Sequence, residues 1–165
     1  FHYLKPPKAG GSGGSDDHRY SNLIGSSDGA TADRGKLRIT FARCWWAPGC
    51  KERMPRVRYG KVHIVNSFFN STVSNKCIAA GFEADIRVES NAFEGVKNPI
   101  DLMSGYTAVT VTSDNVFTSV SGTKVGSGTA FTPPYSIVKL SASAVKADIS
   151  ANAGATLGGN VCGSF

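Results

Sequence analysis

Three arginines fall within six positions, at Arg53, Arg56 and Arg58, with Pro55 among them and Lys51 and Lys61 on either side. A guanidinium is a rigid fork of donors that matches carboxylate and phosphate oxygens through paired hydrogen bonds. Arg56 and Arg58 share a parity, so in an extended segment both point to one face. The chemistry available to such a face is the binding of a polyanion. Overall charge points the same way: 18 Lys and Arg stand against 12 Asp and Glu, a formal net charge of +6, which favours a nucleic acid, an anionic membrane or an acidic polysaccharide as partner. A solvated basic stripe without a partner is the competing reading at this point. Nucleic acid is set aside because the surrounding residues offer neither a recognition helix nor a stacking platform of aromatics. A membrane is set aside because no apolar run approaches the roughly 18 residues of a span, and the start lacks the charged-then-apolar pattern of a signal peptide.

The elements that must position these arginines are legible in an internal repeat. Apolar residues recur at Phe41, Ile64, Val88 and Val111, and again two residues earlier at Ile39, Val62, Ile86 and Val109, in steps of 23, 24 and 23. An aromatic follows each pair, at Trp46, Phe69, Phe93 and Phe117, in steps of 23, 24 and 24. Each unit alternates apolar and polar residues, is rich in β-branched side chains, and then turns a polar corner at Ser67, Asn91 or Asp114-Asn115, which together describe a short strand and a tight bend. A period near 23 suits one rung of a parallel β-helix, and the repeated leucine framework of a leucine-rich repeat is missing. The expected architecture is therefore all-β, a single domain over residues 1–165. Its rungs span 37–117, a Gly/Ser-rich surface loop lies at 6–17, and a C-terminal extension at 133–165 carries a short helix, Ser143 to Asn152. Ser141 or Ser143 caps that helix, Gly154 stops it, and Ala144, Val145 and Ile149 face the coil.

The segments ERMPRVRYGKVHIVNSFFN (52–70), SNLIGSSDGATADRGKLRITF (21–41), ADIRVESNAFEGVKNPID (84–101) and FTPPYS from Phe131 resemble bacterial pectate lyases of polysaccharide lyase family 1. The RxPxxR element, here Arg53, Pro55 and Arg58, is the most specific part. The resemblance implies a right-handed parallel β-helix, here missing its N-terminal rungs, and eliminative cleavage of α-1,4-polygalacturonate. It places Arg53 at the catalytic base and Arg58 at a substrate-binding position, with Arg56 holding a second carboxylate. A substrate-holding lysine on the preceding rung maps to Lys5, with Arg19 as the alternative across the glycine-rich loop. Calcium is the implied cofactor, with ligands expected upstream of residue 1 and none assigned in this chain. Asp16, Asp17, Asp28 and Asp33 sit in Gly/Ser-rich turns where aspartate is commonplace. The implied protein is secreted, extracellular and monomeric, and this stretch by itself is expected to turn over little substrate. An arginine base is unusual, since the group ordinarily stays protonated. Crowding by Lys51, Arg56, Arg58, Lys61 and the implied calcium disfavours a further positive charge and predicts an alkaline activity optimum. The rival readings are a pectin lyase acting on esterified polymer and a noncatalytic β-helix that binds acidic glycans.

Four cysteines, Cys44, Cys50, Cys77 and Cys162, lack zinc-site spacing and admit either two disulfides or buried thiols. His63 takes an outward place between Val62 and Ile64 and reads as a structural histidine. Trp46 occupies the repeating aromatic position and reads as core, which leaves Trp45 open to stack on a sugar ring.

Overall fold

The computed structural model describes residues 1–2 and 19–154. In chain order the strands are β1 (Leu23–Ile24), β2 (Arg38–Ala42), β3 (Trp45–Trp46), β4 (Arg56–Val57), β5 (Lys61–Val65), β6 (Phe68–Phe69), β7 (Ile78–Ala80), β8 (Asp85–Glu89), β9 (Ala92–Glu94), β10 (Ile100–Leu102), β11 (Ala108–Val111) and β12 (Val116–Thr118), followed by α1 (Ala142–Asn152). They form three parallel sheets, ordered β1-β4-β7-β10, β2-β5-β8-β11 and β3-β6-β9-β12. Successive strands of the chain visit the three sheets in turn, so the chain winds as a right-handed parallel β-helix. The repeat read from sequence is the register of two of these sheets: Phe41 pairs with Ile64, Ile64 with Val88 and Val88 with Val111, while Trp46, Phe69, Phe93 and Phe117 pair in the third sheet of that order. The first sheet lies in what the repeat marks as variable loop, and it widens the rungs to Leu23 at one end.

Inside the coil, like side chains stack on like. Trp46, Phe69, Phe93 and Phe117 form a file with centroids 4.6, 4.4 and 4.9 Å apart and rings within 15° of parallel. Beside it run buried Val62, Ile64, Ile86, Val88 and Val109. Parallel register makes this stacking automatic, because residues one turn apart are neighbours at strand spacing.

The corner between the second and third sheets is a polar ladder. Asn91 accepts from Ser67 N at 2.8 Å and donates to Ile64 O at 3.0 Å. Asn115 repeats the pattern one turn on, accepting from Asn91 N at 2.9 Å and donating to Val88 O at 2.9 Å. The sharp bend is completed by Arg43, Asn66 and Ser90, whose φ values of 53°, 47° and 50° lie in the left-handed region. Because Asn91 is fully buried, Asn91→Ala strands one donor and one acceptor, and unfolding in denaturant is expected to lose about 1–3 kcal/mol for each. A total loss below about 1 kcal/mol would mean the ladder contributes shape rather than stability.

Asp114 closes this ladder, taking hydrogen bonds from Ser90 N (3.0 Å), Ser90 Oγ (2.5 Å), Thr112 Oγ1 and Lys139 Nζ (3.2 Å). Burial alone would raise its pKa, but these donors outweigh it and hold the carboxyl well below the usual range. The unfolded chain therefore binds this proton first as pH falls, so stability is present above the ordinary aspartate pKa and is lost below it. Melting temperature is expected to drop more steeply between neutral and acid pH in the wild type than in Asp114→Asn; parallel curves would contradict that.

The C-terminal segment folds back over the coil. Leu140 N donates to Asn66 Oδ1 at 2.9 Å, and Tyr135 Oη lies 3.0 Å from His63 Nδ1. His63 faces outward from its strand as expected yet is only 3% exposed, because this strap covers it and Glu89 Oε2 meets its Nε2 at 3.0 Å. Burial drives the imidazole toward its neutral form, against the opposing pull of Glu89. Helix α1 follows Ser141 at the N-cap, which makes no side-chain capping bond. It buries Ala142, Val145 and Ile149 rather than Ala144: the helix starts one residue before Ser143, and the i, i+3, i+7 stripe selects Ala142. Val145 and Ile149 pack on Phe68 and Ala92, with Trp45 against them. Trp45 stacks on Phe68 and donates to Asn70 at 3.0 Å, so it is not held out for a sugar. Cys44, Cys50 and Cys77 are free thiols. Cys44 Sγ points to Ala42 O and Cys50 Sγ to Phe1 O; Cys162 lies outside the described residues.

Candidate functional site

The outer face of the first sheet carries the arginines. In β4, Val57 points into the core and Arg56 points out. Arg56 pairs in register with Leu23 on one side and Ala79 on the other, and Ala79 pairs with Asp101. Arg58 lies two residues on, where the chain turns toward β5, and donates its backbone N–H to Ile24 O at 2.8 Å. Glycines flank it on both neighbouring turns. A Cβ at Gly25, whose φ is +76°, would fall 2.7 Å from Arg58 O, and one at Gly81 would fall 2.9 Å from Val57 O. With only Ala79 and Gly81 on the next turn, Arg56 and Arg58 border a strip of small residues.

Each arginine is held differently. Arg58 is 12% exposed, and its Nε donates to Asp28 Oδ1 at 2.5 Å. Asp28 is thus the counterion of Arg58. Arg53 takes a left-handed backbone, φ 60°, after which the Met54-Pro55 bond is cis; its guanidinium lies over the Tyr20 ring, 4.3 Å from the centroid, a cation–π contact. The Nε of Arg56 is buried without a hydrogen-bond partner. Burial lowers the Arg56 pKa first, and the charges of Arg58 and Arg53 lower it further, with Asp28 and Asp101 opposing. A half-buried cation with an unmet donor, beside two more cations, is a site prepared for an incoming anion.

The structure therefore brings Arg53, Arg56 and Arg58 together on and beside β4, within reach of one another's charge. Arg19 is on the preceding turn, its carbonyl accepting from Lys51 N at 2.8 Å, one position before the Tyr20 that Arg53 covers. Lys5 lies outside the described residues. Sequence reading missed Asp28 and Tyr20 as partners. It also missed Lys76, whose Nζ sits 3.1 Å from Asp101 Oδ2.

Among the described residues no three His, Cys, Asp or Glu side chains converge to hold a metal ion. Of the acids that act on Arg56, Asp28 pairs with Arg58 and Asp101 with Lys76; without a third acid converging on them, the described residues do not fit a calcium site. No described helix is long and apolar enough to cross a membrane.

The pectate lyase family model matches residues 14–157. Among curated proteins, the chain is 36% identical over 142 residues to a probable pectate lyase A of Aspergillus fumigatus, covering 86% of this chain and 42% of that protein. It is 35% identical over 139 residues to a pectate trisaccharide-lyase of Bacillus licheniformis, covering 81% and 38%. Among solved structures, a Bacillus subtilis pectate lyase variant superposes with a TM-score of 0.67 at 27% identity over 84% of this chain and 38% of that one. A Xanthomonas campestris pectate lyase variant gives 0.64 at 25% identity over 82% and 46%. The chain thus spans about two-fifths of the length of the curated relatives it matches.

Proposed function

Since this chain belongs to the pectate lyase family, we propose that the protein cleaves α-1,4-polygalacturonate by β-elimination on the outer face of the first sheet. The observation that carries the reading is the unmet Arg56 Nε, beside Arg53 and Arg58 on a strip floored by Ala79 and Gly81. Arg53 is the base that takes the C5 proton, as the RxPxxR resemblance implies. The electrons of that C–H bond form the C4–C5 double bond, the C4–O4 bond breaks, and the departing O4 takes a proton from solvent. Arg56 and Arg58 hold uronate carboxylates and oppose the negative charge that builds beside C5. Arg19, on the preceding turn, extends the same grip, and the family resemblance gives Lys5 as a further residue that holds substrate.

For the whole protein the reading includes calcium bound outside the described residues, secretion, and action as a monomer; relatives named pectate lyase support it. Incubation with polygalacturonate, with fully methyl-esterified pectin, and with a chelator tests it by the ultraviolet absorbance of unsaturated product. Chelator-sensitive release from the unesterified polymer is expected. Chelator-resistant release from esterified pectin would make it a pectin lyase, and no product from either would leave a glycan-binding coil.

One observation favours a second assignment of the base. Burial, together with the charges of Arg58 and Arg53, lowers the Arg56 pKa, and a lowered pKa suits an arginine to act as base.

A further inference from the structure

The arginine face continues one turn further. Lys76 follows Arg53 by 23 residues, the same step that pairs Arg56 with Ala79, and Met54 N donates to Cys77 O at 2.8 Å. Lys76 is thus the neighbour of Arg53 on the next turn of the coil, about 4.8 Å along the axis. Its partner Asp101 stands on the same outward ladder as Arg56, with Ala79 between them.

The Lys76–Asp101 contact is incomplete. Nζ and Oδ2 are 3.1 Å apart, with side chains 34% and 30% exposed, yet Oδ2 is buried without a hydrogen bond of ordinary geometry. Arg56 Nε, on the same ladder, is likewise without an acceptor. A part-exposed ion pair of this kind contributes only about 0–1 kcal/mol. Because the Lys76 side chain is one-third exposed, a second carboxylate can reach its ammonium in competition with Asp101 and gain a charge-assisted hydrogen bond there.

We propose that Lys76 binds a uronate carboxylate one turn beyond Arg53, and that Asp101 is the internal counterion this carboxylate displaces. The inference rests on reading the arginine face as a polyuronate site. It gives the site one more subsite, and with it a preference for longer chains. Asp101 sets the threshold for filling that subsite, because it competes with the ligand for the same ammonium.

The test is a titration of the protein with oligogalacturonates of increasing length, by calorimetry, for wild type, Lys76→Met, Lys76→Arg, Asp101→Asn and Arg58→Ala. Lys76→Met is expected to weaken the longer oligomers about tenfold, to leave the shortest binder nearly unchanged, and to be rescued by Lys76→Arg. Asp101→Asn is expected to tighten binding of the longer oligomers. A pair that serves only to hold the fold would move both variants in one direction, since each loses the same contact. The inference is overturned if Asp101→Asn weakens binding, or if Lys76→Met matches wild type at every length while Arg58→Ala still loses affinity. If wild type binds no oligomer, the polyuronate reading itself fails and this subsite falls with it. Circular dichroism melts of each variant separate lost binding from lost fold.

Discussion

Replacing Arg53 with lysine is expected to lower the turnover of polygalacturonate by about 10²–10⁴-fold, the usual contribution of a positioned general base, with little change in KM. The guanidinium is fixed at both ends, by a left-handed backbone at φ 60° and by the Tyr20 ring beneath it. A lysine keeps the charge but presents a compact ammonium on a flexible stem, so it cannot put a nitrogen where the planar fork put one. Arg56→Lys is the informative partner. If Arg56 only holds a carboxylate, that variant raises KM and leaves turnover within reach of wild type. Should Arg56→Lys abolish turnover while Arg53→Lys chiefly raises KM, the base is Arg56, in keeping with the burial and neighbouring positive charges that lower its pKa. The comparison is read from initial rates of unsaturated product over a range of substrate concentrations.

The second large effect is structural. Phe69→Ala is expected to cost about 3–5 kcal/mol of unfolding free energy, as for other buried phenylalanines. Phe69 is fully buried, with Trp46 4.6 Å away on one side and Phe93 4.4 Å away on the other. Its removal opens a gap in the middle of the file that neither neighbour can close without leaving its own rung. Phe117 stacks on Phe93 at 4.9 Å and is only partly buried, so Phe117→Ala is expected to cost much less. Equal losses at the two positions, measured by denaturant unfolding, would show that the file is not the spine of the coil.

The two sheets that meet at the polar corner were legible for different reasons: strands of four or five residues in one keep a strict apolar alternation, and the short strands of the other carry a large aromatic at the same step on every turn. Ile39, Phe41 and Trp46 each announce the same position on the next turn. The first sheet was not: its inward file of Ile24, Val57, Ala80 and Leu102 keeps neither an even step along the sequence nor one kind of side chain, and its neighbours include Gly25, Pro55 and Gly81. Yet the same step of 23 links Arg53 to Lys76, Arg56 to Ala79 and Arg58 to Gly81. The period of the core was carried by the arginine face as well, in charged and small residues rather than apolar ones. What lay beyond sequence were contacts without periodicity. Asp28 reaches Arg58 from a loop thirty residues earlier, and Tyr135 brings an unpatterned strap onto His63 from 72 residues away. His63 and Trp45 both point away from the coil axis, and only the returning strap and α1 decide that neither is free to meet a ligand.

The central claim is that this arginine face breaks a polyuronate by elimination. The most direct measurement is to digest an oligogalacturonate in water enriched in heavy oxygen and weigh the fragments. Elimination predicts one fragment with an unsaturated, ultraviolet-absorbing end, one saturated fragment, and no heavy oxygen incorporated at the cleaved bond. Two saturated fragments, one carrying heavy oxygen at its new reducing end, would mean hydrolysis and would contradict the account.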